Sequence, residues 1–84
     1  MTTIILNGGD LGRERVKVRT NLSRSESPVE VDWCMGAGWT HTQYQCADTR
    51  HSRSGLTSIG KSLAAHAMEM PEATFDCDCE VIDE

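Results

Sequence analysis

Two stretches of the chain alternate between apolar and charged residues, and this pattern constrains the fold more than any other feature. From Arg13 to Thr20, the odd positions are all basic and the even positions include two valines. From Phe75 to Val81, the odd positions are apolar or cysteine and the even positions are acidic. Side chains with a period of two lie on opposite faces of a β-strand. Both stretches are therefore predicted to be strands with one face in the core.

Three further strands are predicted from short β-favouring runs and the turns beside them. The first covers Thr3–Leu6, and the turn-forming sequence after it contains Asn7 and two glycines. Another strand begins at Val29 and stops at the glycines of residues 36–38, which predict a hairpin to a fourth strand.

The hairpin register is predicted from the faces of its two strands. We expect Val31 to pair with Tyr44, so that the apolar face of the third strand continues onto the fourth. In this register Cys34 opposes His41 on the other face. A thiol beside an imidazole suggests metal binding or nucleophilic chemistry, but no third group is evident to orient the imidazole.

One helix is predicted between the fourth and fifth strands. Its apolar stripe recurs at steps of three and four residues and consists of Leu56, Ile59, Leu63, Ala67 and Met70. Ser54 is the predicted N-cap, and Pro71 ends the helix. Gly60 lies on the stripe, where it predicts a close approach of the helix to the sheet.

These elements predict an α+β fold, with a small antiparallel sheet of four to five strands, one helix packed on one face, and the order β-β-β-β-α-β. The 84 residues have room for one core, so residues 1–84 are predicted to be a single domain. Within it, we predict a mobile loop at residues 21–27 and a frayed acidic C-terminus at residues 82–84. The basic and acidic strands are predicted to be neighbours, because opposite charges on adjacent strands favour pairing.

The N-terminus resembles neither a signal peptide nor a membrane span, which predicts a cytoplasmic protein with reduced thiols. Cys77 and Cys79 lie two residues apart in a predicted strand, so both are expected to be small core side chains. The alternative is a zinc-stabilised domain, in which Cys46 is the third ligand and a histidine the fourth. Zinc-finger spacing is not found, so neither a metal site nor a cofactor is predicted.

The charge of the chain and its lack of catalytic motifs point to a binding protein. Phosphate-binding loops, a nucleophile elbow and a zinc-protease motif are all missing from the sequence, which predicts a non-enzymatic protein. The net charge of −5 favours a basic partner and disfavours membranes and nucleic acid. The predicted partner-binding residues are Asp76, Asp78, Glu80, Asp83 and Glu84.

A second surface is predicted on the basic strand, as a contact for nucleic acid or a secondary interface. It consists of Arg13, Arg15, Lys17 and Arg19. The aromatic residues Trp33, Trp39 and Tyr44 could stack on bases, although the net charge of the whole chain opposes this alternative.

Taken together, the sequence predicts a small acidic module that blocks a basic surface on a larger protein or protein–nucleic-acid complex. In its size, acidity, thin core and lack of a catalytic set, the chain is similar to many phage or mobile-element proteins that block a host machine, including anti-CRISPR inhibitors. The similarity is one of general profile and covers no motif. The sequence leaves the oligomeric state open.

Overall fold

The computed structural model describes residues 1–24, 26–34, 38–44 and 52–83. The strands are β1 (Thr2–Asn7), β2 (Arg15–Thr20), β3 (Val29–Cys34), β4 (Trp39–Tyr44) and β5 (Asp78–Asp83), and the helix α1 (Arg53–Ala67) lies between β4 and β5 in the chain. Single turns of 3-10 helix follow β1 and precede β5, at Gly9–Leu11 and Glu72–Thr74. The predicted α+β class and the order β-β-β-β-α-β are confirmed. In the part of the chain that the structure describes, no helix has the length and apolar character needed to cross a membrane.

The five strands form one antiparallel sheet in the order β4-β3-β2-β1-β5. The prediction that the basic and acidic strands are neighbours is therefore wrong, because β1 lies between β2 and β5. The side chains of Ile4 and Leu6 on β1 are fully buried, and an interior position gives this strand a neighbour on each side. Burying such a side chain stabilises the fold by about 1.5–3 kcal/mol, whereas a cross-strand charge pair contributes only about 0.2–1 kcal/mol.

The β3–β4 hairpin has a register two residues away from the predicted one. Val31 pairs with Thr42, and Cys34 pairs with Trp39 rather than with His41. A shift of two residues leaves every side chain on its original face, so alternation alone cannot distinguish the two registers. The observed register places His41 opposite Asp32, and these side chains contact each other on the open side of the sheet.

The core lies between the sheet and α1, which packs across β1 and β2. Its buried apolar residues are Ile4, Leu6, Leu11, Val16, Val18, Val29, Val31, Leu56, Ala64, Ala65 and Phe75. A Cβ atom on Gly60 would lie 2.6 Å from Leu6 Cδ1 and 3.1 Å from Val18 Cγ2. The predicted close approach of the helix at Gly60 is confirmed.

The helix begins earlier than its sequence suggests. The N-cap is Ser52 rather than Ser54, because the Ser52 hydroxyl accepts a hydrogen bond from Gly55 N–H at 3.0 Å. Ser54 lies in the first turn. The last apolar position of the predicted stripe, Met70, lies beyond the end of the helix, although its side chain packs against the core.

Both segments predicted to be mobile contain local hydrogen bonds. In the loop after β2, Arg24 N–H donates to the Asn21 carbonyl and Ser27 N–H donates to the Arg24 carbonyl. At the C-terminus, β5 continues through Asp83, and Glu84 lies outside the described residues. Mobility in these two segments stays a prediction.

Candidate functional site

The helix α1 covers one face of the sheet, and we call the opposite side the open face. The strand registers place charged residues of three strands on it. They are Arg15, Lys17 and Arg19 on β2, Glu30 and Asp32 on β3, and Asp78 and Glu80 on β5. The open face therefore has a central basic row with an acidic row on either side, one of them next to it and the other two strands away.

The basic row is balanced by the acidic residues of β3. Arg19 Nε lies 2.9 Å from Glu30 Oε2, and Lys17 pairs across the strands with Asp32. The Lys17 ammonium also lies 4.5 Å from the centre of the Trp39 ring, which is within the range of a cation–π contact. This balance weakens the basic row as a phosphate-binding surface.

The predicted basic strand is also shorter than its sequence pattern. Arg13 lies before β2 in an exposed turn that follows Gly12, whose φ of 62° is left-handed. It is therefore not aligned with Arg15 and the two cations after it. The structure brings three of the four predicted basic residues onto one face.

His41 joins β3 to β4 on the open face. Its Nδ1 lies 2.5 Å from Asp32 Oδ1, and its Nε2 lies 3.6 Å from Glu30 Oε1. The predicted thiol–imidazole pair is wrong, because a carboxylate and not Cys34 faces this ring. The contact of the His41 ring with Asp32 connects the two strands by a side-chain hydrogen bond.

The acidic row of β5 lacks the balance that the basic row has. Asp78 and Glu80 are exposed, and neither has an ion pair with another described residue. On β1, Asp78 lies opposite Asn7 and Glu80 lies opposite Ile5, and both of these residues are uncharged. The backbone of β2 lies two strand spacings away, about 9–10 Å, and the side chains of Arg15 and Lys17 line the same depression as Glu80 without an ion pair to it. Asp78 and Glu80 therefore face solvent without an ion pair among the described residues, and Glu80 is the one nearer to the cations of β2.

The five predicted partner-binding residues do not form one surface. Asp83 lies on the helix side of β5, where it accepts a hydrogen bond from Thr2 Oγ1 at 2.9 Å and pairs with the Arg53 guanidinium. Asp76 precedes β5, and its backbone exchanges two hydrogen bonds with Asp10. Glu84 lies outside the described residues. Only Asp78 and Glu80 share the open face, with Asp76 nearby in the chain.

Cys77 and Cys79, both predicted to be core side chains, have different environments. Cys77 is half-buried against the core, and burial raises the pKa of its thiol. Cys79 is exposed, with its sulfur 3.7 Å from Thr57 Oγ1. The core prediction is wrong for Cys79 because α1 packs over β1 and β2, so β5 remains largely uncovered.

The zinc alternative depends on a residue that the structure does not describe. Among the described residues, no group of three histidine, cysteine or acidic side chains is close enough to hold a metal ion. Cys46, the predicted third ligand, lies outside them. The zinc alternative stays a prediction.

Comparisons of the chain with protein-family models, curated proteins and solved structures find no match. The function is therefore inferred from the surface itself. Sequence reasoning missed two exposed apolar residues there, Val81 at 45% and Ile82 at 37% exposure, both on β5. The signal that could have identified Ile82 is its parity, because it lies an even number of residues from Asp78 and Glu80 and so shares their face of a strand. Val81 belongs to the set that was predicted to face the core.

Proposed function

We propose that this protein is a small, acidic, non-enzymatic binding module that blocks a basic surface on a larger protein or protein–nucleic-acid complex. It would act as phage-encoded inhibitors of host defence do, including anti-CRISPR proteins, by occupying a surface that the partner needs. The observation that supports this most is the row of Asp78 and Glu80, which is exposed at one side of the sheet and has no ion pair with another described residue.

The electrostatics of the whole chain support the same proposal. A net charge of −5 on 84 residues attracts cationic partners over the range of the screening length. Complementary charge raises the association rate and excludes partners of the same sign. A blocking protein needs both properties, since it competes with the normal ligand of the surface it covers.

Direct binding of nucleic acid is the second candidate function. Trp39 is 48% exposed, and together with Arg15 and Lys17 it lines a shallow depression of about 340 Å³ on the open face. An exposed aromatic ring beside cations is typical of single-strand binding. The support is weaker than for the acidic row, because Glu80 lines the same depression and Arg19 is neutralised by Glu30.

A triple charge reversal tests the first candidate. The partner would be captured on the immobilised protein, identified by mass spectrometry and purified. Its affinity would then be measured for the wild type and for Asp76→Lys/Asp78→Lys/Glu80→Lys. We expect a loss of about 100-fold at low salt, equivalent to about 3 kcal/mol, and a wild-type affinity that falls as salt rises.

The control variant is Glu26→Lys/Glu69→Lys/Glu72→Lys, which changes the net charge by the same amount at other exposed positions. We expect it to retain most of the affinity. If both variants lost the same affinity, the loss would come from the change in net charge and not from the acidic row. Unchanged binding by the first variant would exclude the acidic row as the interface.

A further inference from the structure

The outer side of β5 has the properties of a surface that accepts another strand. β5 pairs with β1 at six consecutive positions, from Thr2 opposite Asp83 to Asn7 opposite Asp78. On its other side, no strand from the described residues pairs with it. Alternate residues of an edge strand direct their backbone N–H and C=O groups outward, where another chain can bind them.

Charge is the protection that β5 has as a sheet edge, and the other usual protections are missing from it. Natural edges are shortened, bulged, or carry proline or charged side chains, among which lysine is the most common. β5 has six residues, as many as β1, and its register with β1 is regular throughout. Its sequence contains no proline and no basic residue, and all six side chains are exposed. The acidic side chains are the only charges on this edge, so they select which strands can approach.

We propose that β5 binds its partner by strand addition, and that the added strand is an extended segment with lysine or arginine at alternate positions. Asp78 and Glu80 lie on the same face two residues apart, so basic residues two apart in the added strand would lie opposite them. On the other face, the added strand would meet Cys79 and Val81, which favour small or apolar residues. This inference rests on the proposed function and specifies the form of the basic surface.

Charge opposes a second copy of the chain as the occupant. A twofold pair of β5 strands is antiparallel and is centred near the middle of the strand. When it is centred on Glu80, the two Glu80 carboxylates are directly opposite, and when it is centred on Cys79, Glu80 lies opposite Asp78 of the second copy. When it is centred on Val81, the two Glu80 side chains are diagonal neighbours at about 7–8 Å. Every central register thus places like charges together, whereas a basic strand places opposite charges together.

The test uses the full-length chain labelled with ¹⁵N and an eight-residue peptide that alternates lysine and valine, with blocked termini. The control peptide has the same sequence with its four central residues N-methylated, which keeps the charges and removes the donors needed for pairing. At low salt, we expect the first peptide to shift the amide resonances of residues 78–83 and to slow hydrogen exchange of the outward β5 amides at least about tenfold. The methylated peptide should bind at least about tenfold more weakly.

A matched pair of variants separates charge at β5 from charge elsewhere. Glu80→Lys should weaken binding of the alternating peptide by about tenfold, while Glu72→Lys, also at an exposed position, should change it less than about twofold. Because both positions are exposed, both variants should fold, and their amide spectra would confirm it.

Three results would overturn the inference. The first is that the alternating peptide fails to bind at millimolar concentration, and the second is that both peptides bind equally without protecting the β5 amides. The third is protection of the β5 amides on raising the protein concentration alone, which would make a second copy the occupant. The second result would leave the proposed function intact, because the acidic row could still hold a basic surface without strand addition. Failure of the proposed function would be seen in a different experiment. There, the variant with the triple charge reversal would bind the partner as tightly as the wild type does.

Discussion

At the scale of single residues, Gly60 determines how near α1 can lie to the sheet. It is buried, and a Cβ at this position would come within 3.1 Å of both Leu6 and Val18 in the core. We therefore expect Gly60→Val to lower the free energy of unfolding by about 1–3 kcal/mol, which is the usual cost of overpacking. Chemical denaturation monitored by circular dichroism would measure the loss.

Ser62→Val is the matched control, because it introduces the same side chain at an exposed position of the same helix. Serine and valine have similar helix propensities, so we expect a change below about 0.5 kcal/mol. A tolerated Gly60→Val would mean that the helix can move away from the sheet at little cost. The close approach would then not be a determinant of the fold.

Single residues also mark where sequence reasoning succeeded and where it did not. The role of Gly60 could be predicted, because a glycine on the apolar stripe of a helix lowers helix propensity and leaves room for a close neighbour. The separation of Asp83 from Asp78 and Glu80 could have been predicted as well. Asp83 is an odd number of residues away from both, so it must lie on the other face of a strand. What the sequence could not supply is the contact of Asp83 with Arg53, which depends on where the helix begins.

At the scale of elements, the start of α1 gives a clear contrast between two serines. The Ser52 hydroxyl caps the helix through Gly55 N–H, whereas Ser54 lies in the first turn and is exposed. Ser52→Ala should cost about 1 kcal/mol, which lowers the melting temperature of a domain of this size by about 4–8 °C. Ser54→Ala should change it by less than about half as much, because alanine is a better helix former. Equal effects in thermal melts would contradict the assignment of the cap.

Strand order was less predictable than strand content. Alternation identifies β2 and the end of the chain as strands because it depends only on which face of each strand is buried. Which strands are neighbours, and in which register they pair, depends on contacts between strands. Alternation does not distinguish the possible orders and registers, because all of them keep the same face of each strand buried. β1 takes an interior position, between β2 and β5, in which Ile4 and Leu6 are fully buried, and β3 supplies the acidic partners that β5 was expected to provide.

At the scale of the whole molecule, stability is unevenly distributed across the sheet. β1 and β2 lie beneath α1 and have a neighbouring strand on both sides. β5 has only β1 beside it among the described residues, and all of its side chains are exposed. Its described side-chain anchors are the contacts of Asp83 with Thr2 and Arg53 and the contact of Cys79 with Thr57. Exposed contacts of this kind contribute little to stability, so β5 is held mainly by its backbone pairing.

We therefore expect β5 to open without unfolding the rest of the chain. In native-state hydrogen exchange, the amides that join β5 to β1 should exchange from an opening more than about 1 kcal/mol below global unfolding, while those that join β1 to β2 should need global unfolding. Low denaturant concentrations should hardly change the β5 opening, because it exposes little buried surface. A strand added to the outer side of β5 would raise its opening free energy, because leaving the sheet would then break pairing on both sides. Equal exchange free energies for the two sets of amides, without any added peptide, would show instead that β5 is an integral part of one cooperative sheet.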